Sequence, residues 1–138
     1  MKIIPIEIEA IGFPEGRDAI FLDNVQGKNT DTLTLNGELN GTLCSKLNKE
    51  VYIPYNITFK NVLKVEVTNV DFHNYFNEVT QEENKEVYSS FEEARDSGFL
   101  KATNTDKHRH FIFHTYDDVF DIVAESYVIN INTERPKN

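Results

Sequence analysis

Residues 108–131, HRHFIFHTYDDVFDIVAESYVINI, decide the fold class of this chain. Phe111 and Phe113 alternate with other side chains before the turn sequence at 116–118, and the same alternation resumes at Phe120. A period of two residues is typical of a β-strand with one buried face. The pattern therefore predicts two strands joined by a tight turn, with both phenyl rings of the first strand facing the core.

The phase of this alternation changes at Glu125–Ser126, because Tyr127, Ile129 and Ile131 have the opposite parity from Phe120. An extra residue in one strand shifts the parity in this way, so we predict a β-bulge there. The same period predicts further strands at Lys2–Ala10, Ala19–Leu22, 32–43 and Tyr52–Thr68, the last as two strands or one bent strand that changes phase at Lys60–Asn61.

Local motifs predict one hairpin turn and one helix. Asn36-Gly37 and Asn40-Gly41 are both typical of a type I′ turn, which needs positive φ at both central residues, and we favour Asn36-Gly37. Ser90 and Glu93 fit a capping box, and Gly98 stands where a helix commonly ends. We therefore predict a short helix at Ser90–Ser97 that is stable only when packed on the sheet.

These elements predict a mainly β domain with antiparallel strands, arranged as a sandwich or an open barrel, plus one short helix. The alternative is an α+β fold with the helix packed on one sheet face. The length of 138 residues suits a single domain over 1–138. Two of its segments are polar: an acidic stretch at 77–86, predicted to be a solvated loop, and a tail at 133–138, predicted to fray.

Charge and composition exclude several classes of protein. Asp and Glu total 23 against 14 for Lys and Arg, and a net charge of −9 argues against nucleic-acid binding, which depends on a basic surface. No apolar run approaches the roughly 20 residues of a membrane helix, and no secretory signal is visible. The single Cys44 forms no intrachain disulfide. We therefore expect a cytoplasmic protein, and the abundance of Asn, Lys and Ile favours a bacterial one.

Three histidines, His108, His110 and His114, share one face of the strand predicted after residue 107. Alternate residues of a strand lie about 6.6–6.8 Å apart, so His108 and His110 can reach one divalent transition metal such as zinc. His114 joins them only if the strand bends, and a third ligand would otherwise come from Asp117, Asp118, Glu125 or His73. The alternative is a solvated strand face, and the basic run Lys107–His110 also suits a phosphate or carboxylate.

Three other groups of polar side chains have structural explanations. Cys44 stands in no catalytic signature, and a semi-buried thiol explains it. Asp117, Asp118 and Asp121 lack the spacing of a calcium loop, and an acidic turn explains them. The acidic stretch is either a solvated surface or a docking site for a basic partner, formed by Glu78, Glu82, Glu83 and Glu86.

The absence of a phosphate-binding loop, a nucleophile elbow and a CxxC motif favours a non-enzymatic protein. We expect an interaction module that binds a basic partner protein, in the manner of an immunity or inhibitor protein. The alternative is a small β-barrel that binds a ligand or a metal through His108 and His110. Exposed strand edges also suit a homodimer formed by edge pairing.

Overall fold

The computed structural model describes residues 2–27, 31–71, 89–103 and 105–132, which form nine strands and one short α-helix. The helix, α1, is Gly98–Thr103. The strands are β1 (Lys2–Pro5), β2 (Ile20–Gln26), β3 (Thr32–Asn40), β4 (Tyr52–Lys60), β5 (Lys64–Asn69), β6 (Phe91–Arg95), β7 (Arg109–His114), β8 (Asp118–Ala124) and β9 (Ser126–Ile131).

Two antiparallel sheets pack face to face, so the predicted mainly β class is confirmed. The strand order is β1-β6-β7-β8-β5 in one sheet and β2-β3-β4-β9 in the other. Within the described residues the sheets form a sandwich and do not close into a barrel. The chain changes sheet three times, between β1 and β2, between β4 and β5, and between β8 and β9.

Two of these sheet changes explain the predicted changes of phase. The phase change at Lys60–Asn61 is confirmed, because β4 ends at Lys60 and Asn61 takes a positive φ of 53°. At Glu125 the chain leaves β8 and enters β9 in the opposite sheet, with its N–H donating to the Lys60 carbonyl at 3.0 Å. The predicted bulge is therefore wrong, since the parity changes because the chain passes to the other side of the core.

The core lies between the sheets and is rich in aromatic rings. Phe111 and Phe113 of β7 are fully buried, as predicted, and they contact Phe91 of β6. The rings of Phe91 and Phe113 lie edge to face with centroids 5.5 Å apart, a favourable arrangement of two aromatic quadrupoles. Phe59 of β4 and Tyr127 of β9 complete the cluster from the other sheet. The aromatic contacts therefore join the two sheets.

The predicted helix at Ser90–Ser97 is wrong, because Phe91–Arg95 is strand β6 and the helix begins only at Gly98. The Ser90 hydroxyl donates to the Gly16 carbonyl at 2.9 Å instead of capping a helix. Glu93 pairs with Arg109 instead of reaching back to Ser90. β6 is hydrogen-bonded on both sides, to β1 and to β7, and this pairing outweighs the local capping signal.

The predicted hairpin turn is also wrong, because β3 continues through both residues of Asn36-Gly37 and ends at Asn40. Gly41 then begins a short 3-10 turn. The glycine at 37 is required by close packing and not by a turn: a Cβ there would overlap the backbone carbonyl of Phe21. Phe21 lies in β2 beside a register shift between Leu22 and Asn24, where the two strands approach closely.

The first strand is shorter than predicted, since β1 ends at Pro5 and not at Ala10. Ala10 has a positive φ of 76°, and the Gly12 N–H donates to the Ile8 carbonyl at 2.8 Å, so the chain turns there. Pro5 lies on an edge strand, as its missing N–H predicts. The predicted loop at 77–86 and the predicted tail at 133–138 lie outside the described residues.

Candidate functional site

His110 lies in a buried polar network on the outer face of the five-stranded sheet. Its Nε2–H donates to the Asp121 carboxylate at 2.7 Å, and its Nδ1 lies 2.8 Å from the Ser97 hydroxyl. The three residues are only 1–2% exposed, and the imidazole packs against the ring of Phe99 in α1 in an edge-to-face arrangement with centroids 4.8 Å apart. The histidines do lie opposite the phenyl rings, but the prediction that this face is solvated is wrong at His110.

A serine, a histidine and an aspartate in series have the order of a hydrolytic triad. The Ser97 oxygen, however, also accepts the N–H of Leu100 at 3.3 Å, so it caps the first turn of α1. A serine that is 1% exposed offers no attacking oxygen to a substrate in solution. The network therefore holds α1 on the sheet and satisfies the hydrogen bonds of a buried imidazole.

The three histidines predicted to share a metal have separate partners. The His108 Nε2–H donates to the Asn61 carbonyl at 3.0 Å, and His114 Nε2 contacts the Glu92 carboxylate at 2.9 Å. Among the described residues, no three His, Cys, Asp or Glu side chains are placed to hold a metal ion. A metal shared by His108, His110 and His114 stays a prediction without support from this arrangement, and elemental analysis of untagged protein tests it.

The other reactive side chains also have structural roles. Cys44 is buried, its thiol donates to the Asn40 carbonyl at 3.4 Å, and burial raises its pKa to about 11, so the weakly nucleophilic thiol form dominates at neutral pH. Asp117 and Asp118 lie in and after the turn between β7 and β8, where Thr115 Oγ1 donates to the Asp118 carbonyl at 2.8 Å. Asp117 lies in the predicted acidic turn and Asp118 begins β8. The same prediction is wrong for Asp121, which is buried within β8 beside His110.

The outer surface of the four-stranded sheet carries four asparagines side by side, and we call it the amide face. The four residues are direct register partners, one from each strand: Asn24, Asn36, Asn56 and Asn130. Asn130 donates through its side-chain amide to the Asn56 side-chain oxygen at 3.0 Å. Strand alternation places the four side-chain amides on the outer face, so this face offers a row of hydrogen-bonding groups.

A shallow groove of about 360 Å³ lies on the amide face. Its polar lining consists of two carboxylates and four asparagines: Asp23, Glu38, Asn36, Asn56, Asn130 and Asn132. Among the described residues, no Lys, Arg or His lines the groove. Burial, and then the negative charge of Asp23, raises the pKa of the neighbouring Tyr55, which donates to the Phe21 carbonyl at 3.0 Å. The groove is therefore negative and rich in oxygen acceptors.

Sequence reasoning missed this groove, although each strand contained part of the signal. Asn36 stands between Leu35 and a glycine, and Asn56 stands between Tyr55 and Ile57, so alternation places both amides on the polar face. The row exists only in the register that joins β2, β3, β4 and β9, and the sequence shows no register. The acidic residues that were predicted instead, Glu78, Glu82, Glu83 and Glu86, lie outside the described residues.

Comparison with known proteins adds no relative: no family model, no curated protein and no solved structure matches the chain. The α-helix at Gly98–Thr103 is too short to cross a membrane, and the described residues contain no longer helix. The groove on the amide face is thus the candidate site that the described residues support best.

Proposed function

We propose that this β-sandwich is a non-enzymatic interaction module that binds a basic partner protein through the groove on the amide face. The observation that carries this proposal is the composition of the groove, whose described lining combines Asp23 and Glu38 with asparagine oxygens. Carboxylate and amide oxygens accept the N–H groups of lysine and arginine side chains. A basic side chain is therefore the ligand that fits this lining.

The overall charge supports the same partner. A net charge of −9 attracts a basic protein over long range and raises its rate of association at low salt. The inhibitor- or immunity-like role expected from composition belongs to this proposal, because such proteins act by covering a surface of another protein. Neither binding of a basic partner nor an inhibitor- or immunity-like role requires a catalytic group of this chain.

The acidic stretch 77–86 remains a second part of the proposed docking surface. The described chain stops at Asp71 and resumes at Ser89, and both flanks contact one turn: Arg17 pairs with Asp71 at 3.1 Å, and Ser90 bonds to Gly16. The guanidinium of Arg17 in this turn lies over the ring of Tyr116. That ring stacks on Phe21, which is the register partner of Glu38 in the groove. The described flanks of the stretch are thus connected to the groove by side-chain contacts, which supports the part that we propose for the stretch in docking.

Titration of the full chain with a hexalysine peptide tests this proposal. We expect the double variant Asp23→Asn/Glu38→Gln to bind about twofold to thirtyfold more weakly than the wild type, since two exposed ion pairs contribute roughly 0.2–1 kcal/mol each. Affinity should also fall between low and moderate salt as the charges are screened. Calorimetry or fluorescence anisotropy measures both effects.

The matched control is Glu66→Gln/Asp106→Asn, which removes the same number of charges outside the groove, on β5 and before β7. It should bind like the wild type, apart from the small effect of net charge. If the control weakens binding as much as the groove variant does, or if binding is indifferent to salt, the groove is not the site.

A further inference from the structure

β9 differs from the other edge strands of the two sheets, which are β1, β2 and β5. Natural sheets protect their edges with proline, charge, short strands or bulges. β1 is four residues long and contains Pro5, β2 has a register shift at Asp23, and β5 carries Lys64 and Glu66. β9, SYVINI, has no charged residue and no proline, and its six pairs with β4 run without a register shift.

The free edge of β9 presents backbone groups at every second residue. The Asn132 N–H donates to the Pro54 carbonyl at 3.0 Å, so the even-numbered residues of β9 direct their backbone groups towards β4. The N–H and C=O groups of Tyr127, Ile129 and Ile131 therefore point away from β4. No described strand pairs with them.

β9 lies over the part of the five-stranded sheet that is away from β5. Tyr127 packs on Phe91 of β6 and Phe111 of β7, with ring centroids 5.0 and 5.3 Å apart. In contrast, Arg17 before β2 pairs with Asp71 after β5. On the outer face of β9, Val128 is 45% exposed. An exposed valine on an uncharged edge strand suits a contact with another protein.

We propose that β9 pairs antiparallel with β9 of a second copy of this chain and joins the two four-stranded sheets into one. The free edge is self-complementary, because a two-fold axis at Ile129 brings Tyr127 opposite Ile131 of the second copy. These three pairs form about six hydrogen bonds, two for each pair. An uncharged strand fits an identical uncharged strand, whereas a basic partner is selected by carboxylates. This assembly is independent of the proposed groove function.

The pairing places both grooves on the same face of the continuous sheet, since the two-fold axis runs perpendicular to that sheet. Asn130 of β9 lines the groove, so the two sites flank the new interface. A dimer would therefore present two copies of the acidic groove side by side and bind a partner with two basic sites more tightly than either groove alone.

Sedimentation and light scattering of the full chain over a range from low to high micromolar concentration test the pairing. We expect a monomer that converts to a dimer with rising concentration, and amide hydrogens of Tyr127, Ile129 and Ile131 that exchange more slowly in the dimer. Val128→Lys should remain monomeric throughout, because two added lysines would lie diagonally across the two-fold axis, about 7–8 Å apart. A wild type that stays monomeric at every concentration overturns the proposal.

Val67→Lys is the matched control, since Val67 has almost the same exposure and lies on β5, an edge strand of the other sheet. It should dimerise like the wild type. Ile129→Pro gives a second test, because proline removes an N–H that points away from β4 and leaves the bonds to β4 in place. A dimer that survives both β9 variants, or that is lost in Val67→Lys, assigns the contact to another surface and contradicts the proposal.

Discussion

Replacing Asp121 by alanine is expected to destabilise the protein by about 1–3 kcal/mol, because the change leaves the buried Nε2–H of His110 without its acceptor. The two side chains are 2.7 Å apart and almost completely buried, so water does not replace the lost partner. Chemical denaturation followed by circular dichroism measures the effect as a lower midpoint at an unchanged slope. Asp121→Asn should lose less, since its amide oxygen still accepts the Nε2–H.

Asp106→Ala provides the control for this prediction, because Asp106 is exposed before β7 and a surface change usually costs within about 0.5 kcal/mol. Ser97→Ala should fall between the two variants, because it removes the cap of α1 as well as the contact to His110. An Asp121→Ala protein as stable as Asp106→Ala would mean that the network does not stabilise the fold.

Replacing Phe91 by alanine in the otherwise wild-type chain should lower the free energy of unfolding by about 3–5 kcal/mol, because it leaves a cavity between the sheets. Phe91 is fully buried and its ring contacts four others, those of Phe59, Phe111, Phe113 and Tyr127. Denaturation midpoints again measure the loss. Phe91→Leu should cost less because most of the volume is retained.

The control for the core prediction is Tyr116→Ala, which removes an aromatic ring that is 40% exposed. The loss of stability in Tyr116→Ala should be clearly smaller than the loss in Phe91→Ala. Equal losses for the two variants, or a mild loss at Phe91, would contradict the placement of β6 at the centre of the aromatic core.

The alternation of apolar and polar residues was sufficient to predict which side chains are buried wherever a strand has one face in the core. It predicted Phe111 and Phe113 as core residues and placed the turn between β7 and β8 correctly. It also detected two positions where the parity changes, at Asn61 and Glu125. The interpretation of Glu125 was wrong because a bulge and a passage to the opposite sheet produce the same change of parity in the sequence.

Local motifs failed where distant strands determine the conformation. Ser90 and Glu93 match a helix cap, yet their partners in the fold are Gly16 and Arg109, which are far away in the chain. Gly37 resembles a turn glycine, but its small size serves the approach of Phe21. A sequence shows the local preference of each segment, whereas these positions depend on the pairing of β6 with β1 and of β3 with β2.

The candidate site was predictable only in its chemistry. The acidic balance of the chain indicated a basic partner, and the groove that we propose for it contains Asp23 and Glu38. Its location depends on a register that brings Asn36, Asn56 and Asn130 together from distant parts of the chain. The histidines drew attention because of their spacing along one strand, but their partners come from other elements, and spacing alone does not reveal them.

A ¹H–¹⁵N correlation spectrum recorded during titration with hexalysine tests the central claim most directly, because each asparagine side-chain amide gives its own pair of signals. Binding in the groove predicts that the side-chain amide signals of Asn36, Asn56 and Asn130 shift progressively, and that the shifts shrink in Asp23→Asn/Glu38→Gln. Saturable binding that leaves these three amides unchanged while signals of the five-stranded sheet move would contradict the account.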